Sequence, residues 1–155
     1  MSTEEIFNYR YIDENVILGG QPDEAQLHAA AGEGFQVVIN LAPHSSSNAL
    51  NDEAGLCDSL GLDYHNIPVD WSNPTPEDYA TFVAVLDQVR QKKVLIHCAA
   101  NYRVTAFFST YALQKLGWSQ QQADALVTSI WEQDPRWLMS DVWSTFIQKI
   151  RTPIE

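Results

Sequence analysis

Short apolar runs alternate with stretches of helical periodicity along most of the chain. The run FQVVINLA at 35–42 is compact and rich in β-branched residues, and KVLIH at 93–97 is similar, as is typical of strands buried on both faces. Weaker strand signals lie at 9–12, 16–18 and 62–69. The pattern therefore predicts several short strands, separated by segments that read as helices.

Helices are indicated by apolar residues at helical spacing and by residue types that favour helix ends. A short helix is predicted around 52–60, and a longer one follows the run KVLIH. The predicted N-cap residues of the other helices are Asp23, Thr75, Ser119 and Ser140. Strands that alternate with helices, followed by helices alone, predict an α/β fold with a mainly parallel central sheet flanked by helices and an α-helical C-terminal tail.

Composition narrows the classes of function. The 155 residues fit one globular domain, 1–155. Nine Lys and Arg against 20 Asp and Glu give a net charge of -11, which disfavours nucleic acid and anionic membranes as partners because both attract clustered cations. Two cysteines are too few for a disulfide framework. With no long apolar run and an acidic start, MSTEEIF, we expect a cytoplasmic protein without a membrane segment.

The candidate chemistry lies in the segment VLIHCAANYRVTAFF at 94–108. It places Cys98 where a buried strand ends and Arg103 in the first turn of the helix that follows. Free N–H groups and the dipole at a helix N-terminus favour a thiolate and bind anions. An arginine guanidinium binds an oxyanion through parallel hydrogen bonds and stays charged at any working pH. Together these residues predict nucleophilic attack on phosphorus or sulfur in an oxyanion.

The run HC-x-x-x-x-R after a buried strand resembles the signature loop of the protein tyrosine and dual-specificity phosphatases. More specifically, the chain resembles the small bacterial phosphatase-like proteins related to them, because ILGGQP, VINLA, YHNIPVDW and the helical tail occur in the expected order over most of 9–139. The resemblance implies a single-domain phosphatase-like fold. It also implies hydrolysis of a phosphomonoester through a cysteinyl-phosphate intermediate, with no cofactor and no metal.

The resemblance assigns roles to individual residues. Cys98 would be the nucleophile, Arg103 would bind the phosphate oxygens, and Asp70, in the turn after an upstream strand, would protonate the leaving group. The phosphate would be held by the loop residues Ala99, Ala100, Asn101, Tyr102 and Arg103. We refer to 98–103 as the signature loop. Behind it, the expected supporting residues are His97, Asn40 and Thr105.

Several of these residues have simpler structural interpretations. Asp70 precedes a Trp-Ser-Asn-Pro turn, where an aspartate commonly makes local hydrogen bonds; Glu77 and Asp78 are the alternative candidates for the acid, although helix capping already explains both. Asn40 could equally make a hydrogen bond on the turn side of its strand, and it needs a partner if it is buried. Cys57 is expected in the core, with capture of an oxidised Cys98 as the alternative. The aromatic residues Tyr102, Trp71 and Trp137 are expected either at the pocket rim or in packing.

The signature loop departs from the usual phosphatase pattern. It has four residues between cysteine and arginine, one fewer than usual, and Asn101 stands where glycine is common. Asparagine is tolerable there because it enters the left-handed region more readily than other non-glycine residues. Val104 replaces the hydroxyl residue that commonly follows the arginine, and Thr105 comes one place late. The expected hydrogen bond to the thiolate is therefore in question.

These departures keep two alternatives open. A loop of this length also resembles that of the rhodanese-type sulfurtransferases, whose cysteine carries a persulfide. Rhodanese domains generally continue with a further strand and a glycine-rich segment, whereas two more helices are predicted here. The other alternative is a non-catalytic module that binds an oxyanion or a protein. For a phosphatase, the expected partner is a phosphorylated small molecule or a phosphoprotein, and the charge of -11 favours one with few phosphates.

Overall fold

The computed structural model describes residues 2–133 and 139–152. A short 3-10 helix, Thr3–Glu5, precedes the first strand. The five strands are β1 (Arg10–Asp13), β2 (Val16–Gly19), β3 (Val37–Asn40), β4 (Asp63–Asn66) and β5 (Val94–His97). Six α-helices lie within these ranges: α1 (Glu24–Gly32), α2 (Glu53–Ser59), α3 (Pro76–Val89), α4 (Tyr102–Lys115), α5 (Gln120–Trp131) and α6 (Asp141–Arg151). The predicted order of strands and helices is confirmed.

The strands form one sheet in the order β1-β2-β5-β3-β4. Only β1 runs antiparallel to its neighbour; the other pairings are parallel. The central strand β5 is fully buried because helices cover both faces of the sheet, which explains its continuous apolar run. In the register, His97 lies beside Gly19 on one side and beside Asn40 on the other. The carboxyl ends of these strands thus meet at one edge, directly before the signature loop.

Each face of the sheet packs its own hydrophobic cluster. Val94 and Ile96 point into the larger one, with the apolar faces of α3, α4 and α6, whereas Leu95 points into the smaller one, with α1 and α2. Cys57 is fully buried in the smaller cluster, as expected for a core residue. Burial, with a smaller contribution from the Glu53 charge, raises the pKa of its thiol to about 12. Because Cys98 belongs to the larger cluster, the two thiols lie on opposite faces of the sheet.

The helices begin where their capping residues predict. The side chains of Asp23, Thr75 and Ser119 each complete a capping box, and Ser140 accepts a hydrogen bond from the backbone at the start of α6. Such caps stabilise a helix by about 1 kcal/mol each, which matters for helices this short. None of the helices in the described ranges has the length and apolarity needed to cross a membrane.

Candidate active site

Cys98 follows the last residue of β5, at the carboxyl edge of the sheet. Its backbone N–H still donates to the carbonyl of Gly19 in β2, at 3.3 Å, so the cysteine is fixed to the sheet. The residue is 1% exposed. Helix α4 begins at Tyr102 and carries Arg103 in its first turn. The strand, cysteine, loop and arginine therefore occupy the positions that the sequence predicts.

The carbonyl groups of the signature loop are bound by residues outside the loop. The oxygen of Ala99 accepts hydrogen bonds from the backbone N–H of Gln21 (3.0 Å) and from Nδ2 of Asn48 (3.1 Å). The oxygen of Ala100 accepts one from Nδ2 of Asn8 (3.0 Å). In a trans peptide the C=O and the following N–H point in opposite directions. With the carbonyl of Ala99 facing outward, the N–H of Ala100 faces the concave side of the loop.

Some backbone N–H groups of the signature loop make no hydrogen bond within the described residues. Within 2–133 and 139–152, the backbone N–H groups of Ala99 and Ala100 donate to no protein acceptor, whereas the antiparallel bridge between Gly20 and Ala100 directs the N–H of Asn101 to the carbonyl of Gly19. They continue into the first turn of α4, whose N–H groups have no partner within the helix. Converging amide dipoles of this kind form an anion site. The loop therefore presents unbonded amide groups ahead of a helix N-terminus, although it is one residue short.

Asn101 makes this turn possible. Its φ of 72° lies in the left-handed region, as proposed from its place at the usual glycine position. The side chain donates from Nδ2 to the carbonyl of Asn8 at 2.8 Å, while Asn8 donates back to the loop at Ala100. The Oδ1 atom of Asn101 is buried and has no hydrogen-bond partner in the described part of the chain. The asparagine therefore replaces glycine and also ties the loop to the N-terminal segment.

Arg103 is a buried cation that has no anionic partner among residues 2–133 and 139–152. The residue is 7% exposed, and its Nη1 donates to the carbonyl of Val69 at 2.9 Å. Its Nε is buried without a hydrogen-bond partner, and no carboxylate in the described ranges pairs with it. The guanidinium lies 5.8 Å from the ring centroid of Trp71. A buried charge without a counter-ion is costly, so this arrangement favours binding of an external anion.

Asp70 and Arg103 line the same cavity. Its volume is about 450 Å³, and its lining consists of Pro43, Ser45, Ser46, Pro68, Asp70, Trp71 and Arg103. Asp70 is exposed and also accepts a hydrogen bond from the backbone of Ser72 at 2.8 Å, which is the local turn contact foreseen as its simpler role. Cys98 is not among the lining residues. A larger cavity, about 720 Å³, lies between α5 and α6 and includes none of the signature loop.

His97 contacts both the loop and a buried carboxylate. Its Nδ1 lies 3.2 Å from the carbonyl oxygen of Cys98, and its Nε2 lies 2.6 Å from Oε2 of Glu53, the first residue of α2. The other carboxylate oxygen of Glu53 accepts a hydrogen bond from Nε2 of Gln21 at 2.8 Å. Burial alone would raise the pKa of Glu53, but the hydrogen bonds from His97 and Gln21 and the charge of His97 lower it below its usual value.

Sequence reasoning missed Glu53 and Gln21. The available signals were weak: an acid at the start of a short helix, where capping already explains it, and a glutamine within GGQP. The local sequence around Glu53 and Gln21 does not indicate that either side chain lies near the end of β5.

The two other predicted supporting residues behave differently. Asn40 does not brace the signature loop: its Nδ2 donates to the hydroxyl of Tyr64 (3.0 Å), and its Oδ1 accepts from the backbone of Ala42 (2.9 Å). The expected role at the loop is therefore wrong, and the turn-side alternative is correct. The Thr105 hydroxyl donates to the carbonyls of Asn101 (2.9 Å) and Tyr102 (3.1 Å), so it secures the loop's end instead of reaching the cysteine.

Aromatic side chains hold the segment that carries Asp70. The ring of Trp71 stacks on Trp131 at a centroid distance of 5.5 Å and lies 5.3 Å from Trp143. The Nε1 of Trp143 also donates to the carbonyl of Trp71 at 2.9 Å. Tyr102 joins the group, 4.9 Å from Trp131. Trp71 thus both packs against other aromatic rings and lines the cavity, as the two expectations for it stated. Trp137 lies outside the described residues.

The sheet order and the loop between its central strand and α4 define a phosphatase-like α/β domain. The phosphatase-like domain of beta-lactamase hydrolase-like proteins matches residues 8–116, and the chain belongs to this family. No curated protein matches the chain.

Solved structures agree with this assignment. The chain is similar to a phosphatase candidate (DUF442) from Shewanella putrefaciens CN-32, with 34% identity over 95% of this chain and 93% of that chain, and a TM-score of 0.84. It shares its fold with Tk-PTP, at 21% identity, a TM-score of 0.71, and coverage of 93% of this chain and 96% of that chain. The chain also shares its fold with P. aeruginosa TpbA, solved with pTyr, at 13% identity and a TM-score of 0.73, with 97% of this chain and 91% of that chain covered.

Proposed function

We propose that the protein hydrolyses a phosphomonoester through a cysteinyl-phosphate intermediate on Cys98. The observation that carries the proposal is the buried guanidinium of Arg103, whose Nε lacks a partner and which no described carboxylate neutralises. It stands one short loop away from a cysteine at a strand end, and the N–H groups of Ala99 and Ala100 in that loop make no hydrogen bond within the described residues. A phosphate dianion supplies the acceptors and the negative charge that this arrangement lacks.

In the proposed mechanism, the thiolate of Cys98 attacks phosphorus and the ester P–O bond breaks. Asp70 gives its proton to the leaving oxygen, so the alcohol departs neutral. Water then attacks the cysteinyl phosphate while Asp70 takes a proton from it, the S–P bond breaks, and inorganic phosphate leaves with the thiolate restored. The loop N–H groups and Arg103 stabilise the charge on the phosphoryl oxygens in both steps.

The cavity beside Arg103 supports the choice of substrate class. The cavity of about 450 Å³ is lined by one cation, Arg103, and by the hydroxyl residues Ser45 and Ser46. With a net charge of -11, the surrounding field repels polyanions, so affinity depends on short-range contacts of a single phosphate. We therefore propose a phosphorylated small molecule or a phosphoprotein as substrate, in the cytoplasm, and neither nucleic acid nor a membrane surface as partner.

The first experiment compares Cys98→Ser with Cys57→Ser as the matched control, using an activated aryl phosphate. Cys98→Ser is expected to abolish turnover while still binding vanadate, and Cys57→Ser to retain turnover because Cys57 lies on the opposite face of the sheet. Turnover at the wild-type rate in Cys98→Ser would overturn the covalent mechanism.

The role of Asp70 is tested by varying the leaving group. Asp70→Asn is expected to slow hydrolysis of an alkyl phosphate, which needs a proton, far more than that of an activated aryl phosphate, which does not. Glu77→Gln, an exposed acid at the start of α3, is the control and should leave both rates unchanged. Equal losses on both esters in Asp70→Asn would remove Asp70 from the mechanism.

A second function, sulfur transfer, is favoured by one observation, the loop with four residues between Cys98 and Arg103. Transfer of sulfur from thiosulfate to cyanide is therefore assayed beside ester hydrolysis. Activity on thiosulfate alone would replace the phosphatase with a sulfurtransferase. Saturable oxyanion binding without turnover of either kind would indicate the non-catalytic module.

A further inference from the structure

The segment that carries Asp70 is held from α6. We refer to residues 70–73 as the acid segment. Nε1 of Trp143, in α6, donates at 2.9 Å to the carbonyl of Trp71, the residue after Asp70. Within the described part of the chain, no other hydrogen bond joins the acid segment to the rest of the protein, because its remaining bonds run inside the segment. The place of Asp70 therefore depends on one fully buried indole.

The first turn of α4 is held in the same way from α5. Nε1 of Trp131, the last residue of α5, donates at 3.0 Å to the carbonyl of Tyr102. Tyr102 is the first residue of α4 and directly precedes Arg103. A buried indole N–H needs an acceptor, and that of Trp131, which is 2% exposed, finds it in the backbone next to the guanidinium residue. Helix α5 thus fixes the turn that carries Arg103.

The two buried indoles form one unit with Trp71. The ring centroids of Trp131 and Trp143 lie 5.8 Å apart, and the ring of Trp71 packs on both. Moving the acid segment relative to α4 requires these ring contacts to break. The three tryptophans therefore set the separation between Asp70 and Arg103, which line the same cavity.

The other end of α6 is bonded to the neighbouring helices. Arg151 donates from Nη2 to the hydroxyl of Ser109 (2.6 Å) and from Nε to that of Thr110 (3.1 Å), both in α4. Its Nη1 donates to Asp124 in α5 at 2.8 Å. Because these bonds fix α6 to α4 and α5, Trp143 holds the acid segment from a fixed support.

We propose that Trp143 and Trp131 are positioning residues: Trp143 holds the acid segment and Trp131 holds the turn of Arg103, so that acid and guanidinium reach the same phosphate ester. The inference deepens the proposed function, and the role of Trp143 rests on Asp70 being the acid. Proton transfer and phosphate binding both need hydrogen-bond distances, so loss of either indole N–H costs rate or affinity without removing a reacting group. One hydrogen bond between uncharged groups corresponds to a roughly fivefold effect.

The role of Trp143 is tested with Trp143→Phe, which keeps an aromatic ring and removes the N–H. Per folded molecule, hydrolysis of an alkyl phosphate should slow roughly fivefold more than that of an activated aryl phosphate, whose leaving group needs no proton. The control is Trp118→Phe, which should leave both rates unchanged: Trp118 packs edge-on against Phe108, and its indole makes no hydrogen bond within the described residues. Equal losses on both esters in Trp143→Phe would overturn its role.

A double variant shows whether Trp143 acts through Asp70. In the Asp70→Asn background, Trp143→Phe should cause no further loss on the alkyl phosphate, because the proton that it positions is already gone. A general structural role would slow both backgrounds by the same factor, and that result would contradict the proposal.

The role of Trp131 is tested by binding of vanadate, which needs no turnover. In Trp131→Phe the Kd for vanadate should rise roughly fivefold, because Arg103 is less well placed, whereas Trp143→Phe and Trp118→Phe should keep the wild-type Kd. The same Kd in all three variants would remove Trp131 from the proposal.

Both indole bonds can be observed in the wild-type protein, whether or not a variant folds. In NMR spectra the indole N–H protons of Trp131 and Trp143 should exchange with solvent far more slowly than that of Trp118, because both are buried and bonded. Exchange as fast as that of Trp118 would overturn the role of whichever tryptophan shows it.

The backbone N–H of Ser72 separates this inference from the proposed function, because it donates to Oδ1 of Asp70 at 2.8 Å and reports the place of that carboxylate without turnover. Its hydrogen exchange should be faster in Trp143→Phe than in Trp118→Phe. If no phosphate ester is hydrolysed but this difference and the weaker vanadate binding of Trp131→Phe persist, the phosphatase is refuted and the positioning roles stand. An active enzyme with equal Ser72 exchange in both variants would overturn the role of Trp143 alone.

Discussion

Asn101 offers a direct test of how the signature loop is built. Two substitutions, Asn101→Gly and Asn101→Ala, both remove the 2.8 Å bond from Nδ2 to the carbonyl of Asn8, which is worth about 1 kcal/mol net. Both also remove the buried Oδ1 that lacks a partner, which returns an amount of similar size. The free energy lost with the hydrogen bond and the free energy regained with the buried oxygen therefore largely cancel. The two variants then differ in stability mainly through the cost of the backbone conformation at position 101.

The backbone contribution separates the two variants. At a φ of 72°, an alanine Cβ crowds the following carbonyl and costs about 1–2 kcal/mol, whereas glycine has no such cost. Glycine loses roughly 0.5–1 kcal/mol more chain entropy on folding, which offsets part of the advantage. We expect Asn101→Gly to stay near the wild type and Asn101→Ala to be about 1 kcal/mol less stable than Asn101→Gly.

The assay is urea unfolding followed by the fluorescence of the five tryptophans. With a slope of roughly 2 kcal/mol per molar urea, the two midpoints should differ by about 0.5 M. Asn48→Ala is the control, because it removes a bond to the loop at Ala99 without changing a left-handed residue. If Asn101→Ala proves as stable as Asn101→Gly, the left-handed turn does not govern the loop.

Three further outcomes follow from contacts around the loop. In Gly20→Ala the new Cβ would lie 2.8 Å from the backbone oxygen of Ala99, so thermal unfolding should show a loss of roughly 1–3 kcal/mol and weaker vanadate binding. Trp143→Phe removes the donor to the carbonyl of Trp71, so urea unfolding should show a loss of about 1 kcal/mol, with faster hydrogen exchange at Trp71. Folding lowers the pKa of Glu53 below 4.5, so the ionised carboxylate stabilises the fold fully above pH 4.5, and this stabilisation is lost as pH falls through the pKa of the folded state. The difference in unfolding free energy between the wild type and Glu53→Gln, measured in urea, should therefore shrink as pH falls below 4.5.

The fold was largely predictable because its signals are local. The strands β3 and β5 are apolar on both faces, and the caps at Asp23, Thr75 and Ser119 mark helix starts within a few residues. The nucleophile candidate was likewise visible, since a cysteine and an arginine at fixed spacing after a buried strand form a contiguous pattern.

The supports of the loop were not predictable, because their contacts join distant parts of the chain. Glu53 is 44 residues from His97, and Asn8 is 92 residues from Ala100. Asn8, like Glu53, has a polar side chain at a helix end or turn, where local capping and turn bonds already explain it. For Asn40 the prediction failed in the opposite way. The residue lies at the predicted strand end, but its side chain makes hydrogen bonds to Tyr64 and to the turn at Ala42 and not to the signature loop.

The position of Cys98 at the end of the central strand has a consequence for native-state fluctuations. Strand β5 has a hydrogen-bonded neighbour on each side and a hydrophobic cluster on each face, which is the environment of the slowest-exchanging amides in a protein. Local opening cannot detach such a strand, so Cys98 is displaced only when the whole domain unfolds. Substitutions far from Cys98 should then lower the amount of folded protein, while the surroundings of Cys98 in each folded molecule stay unchanged.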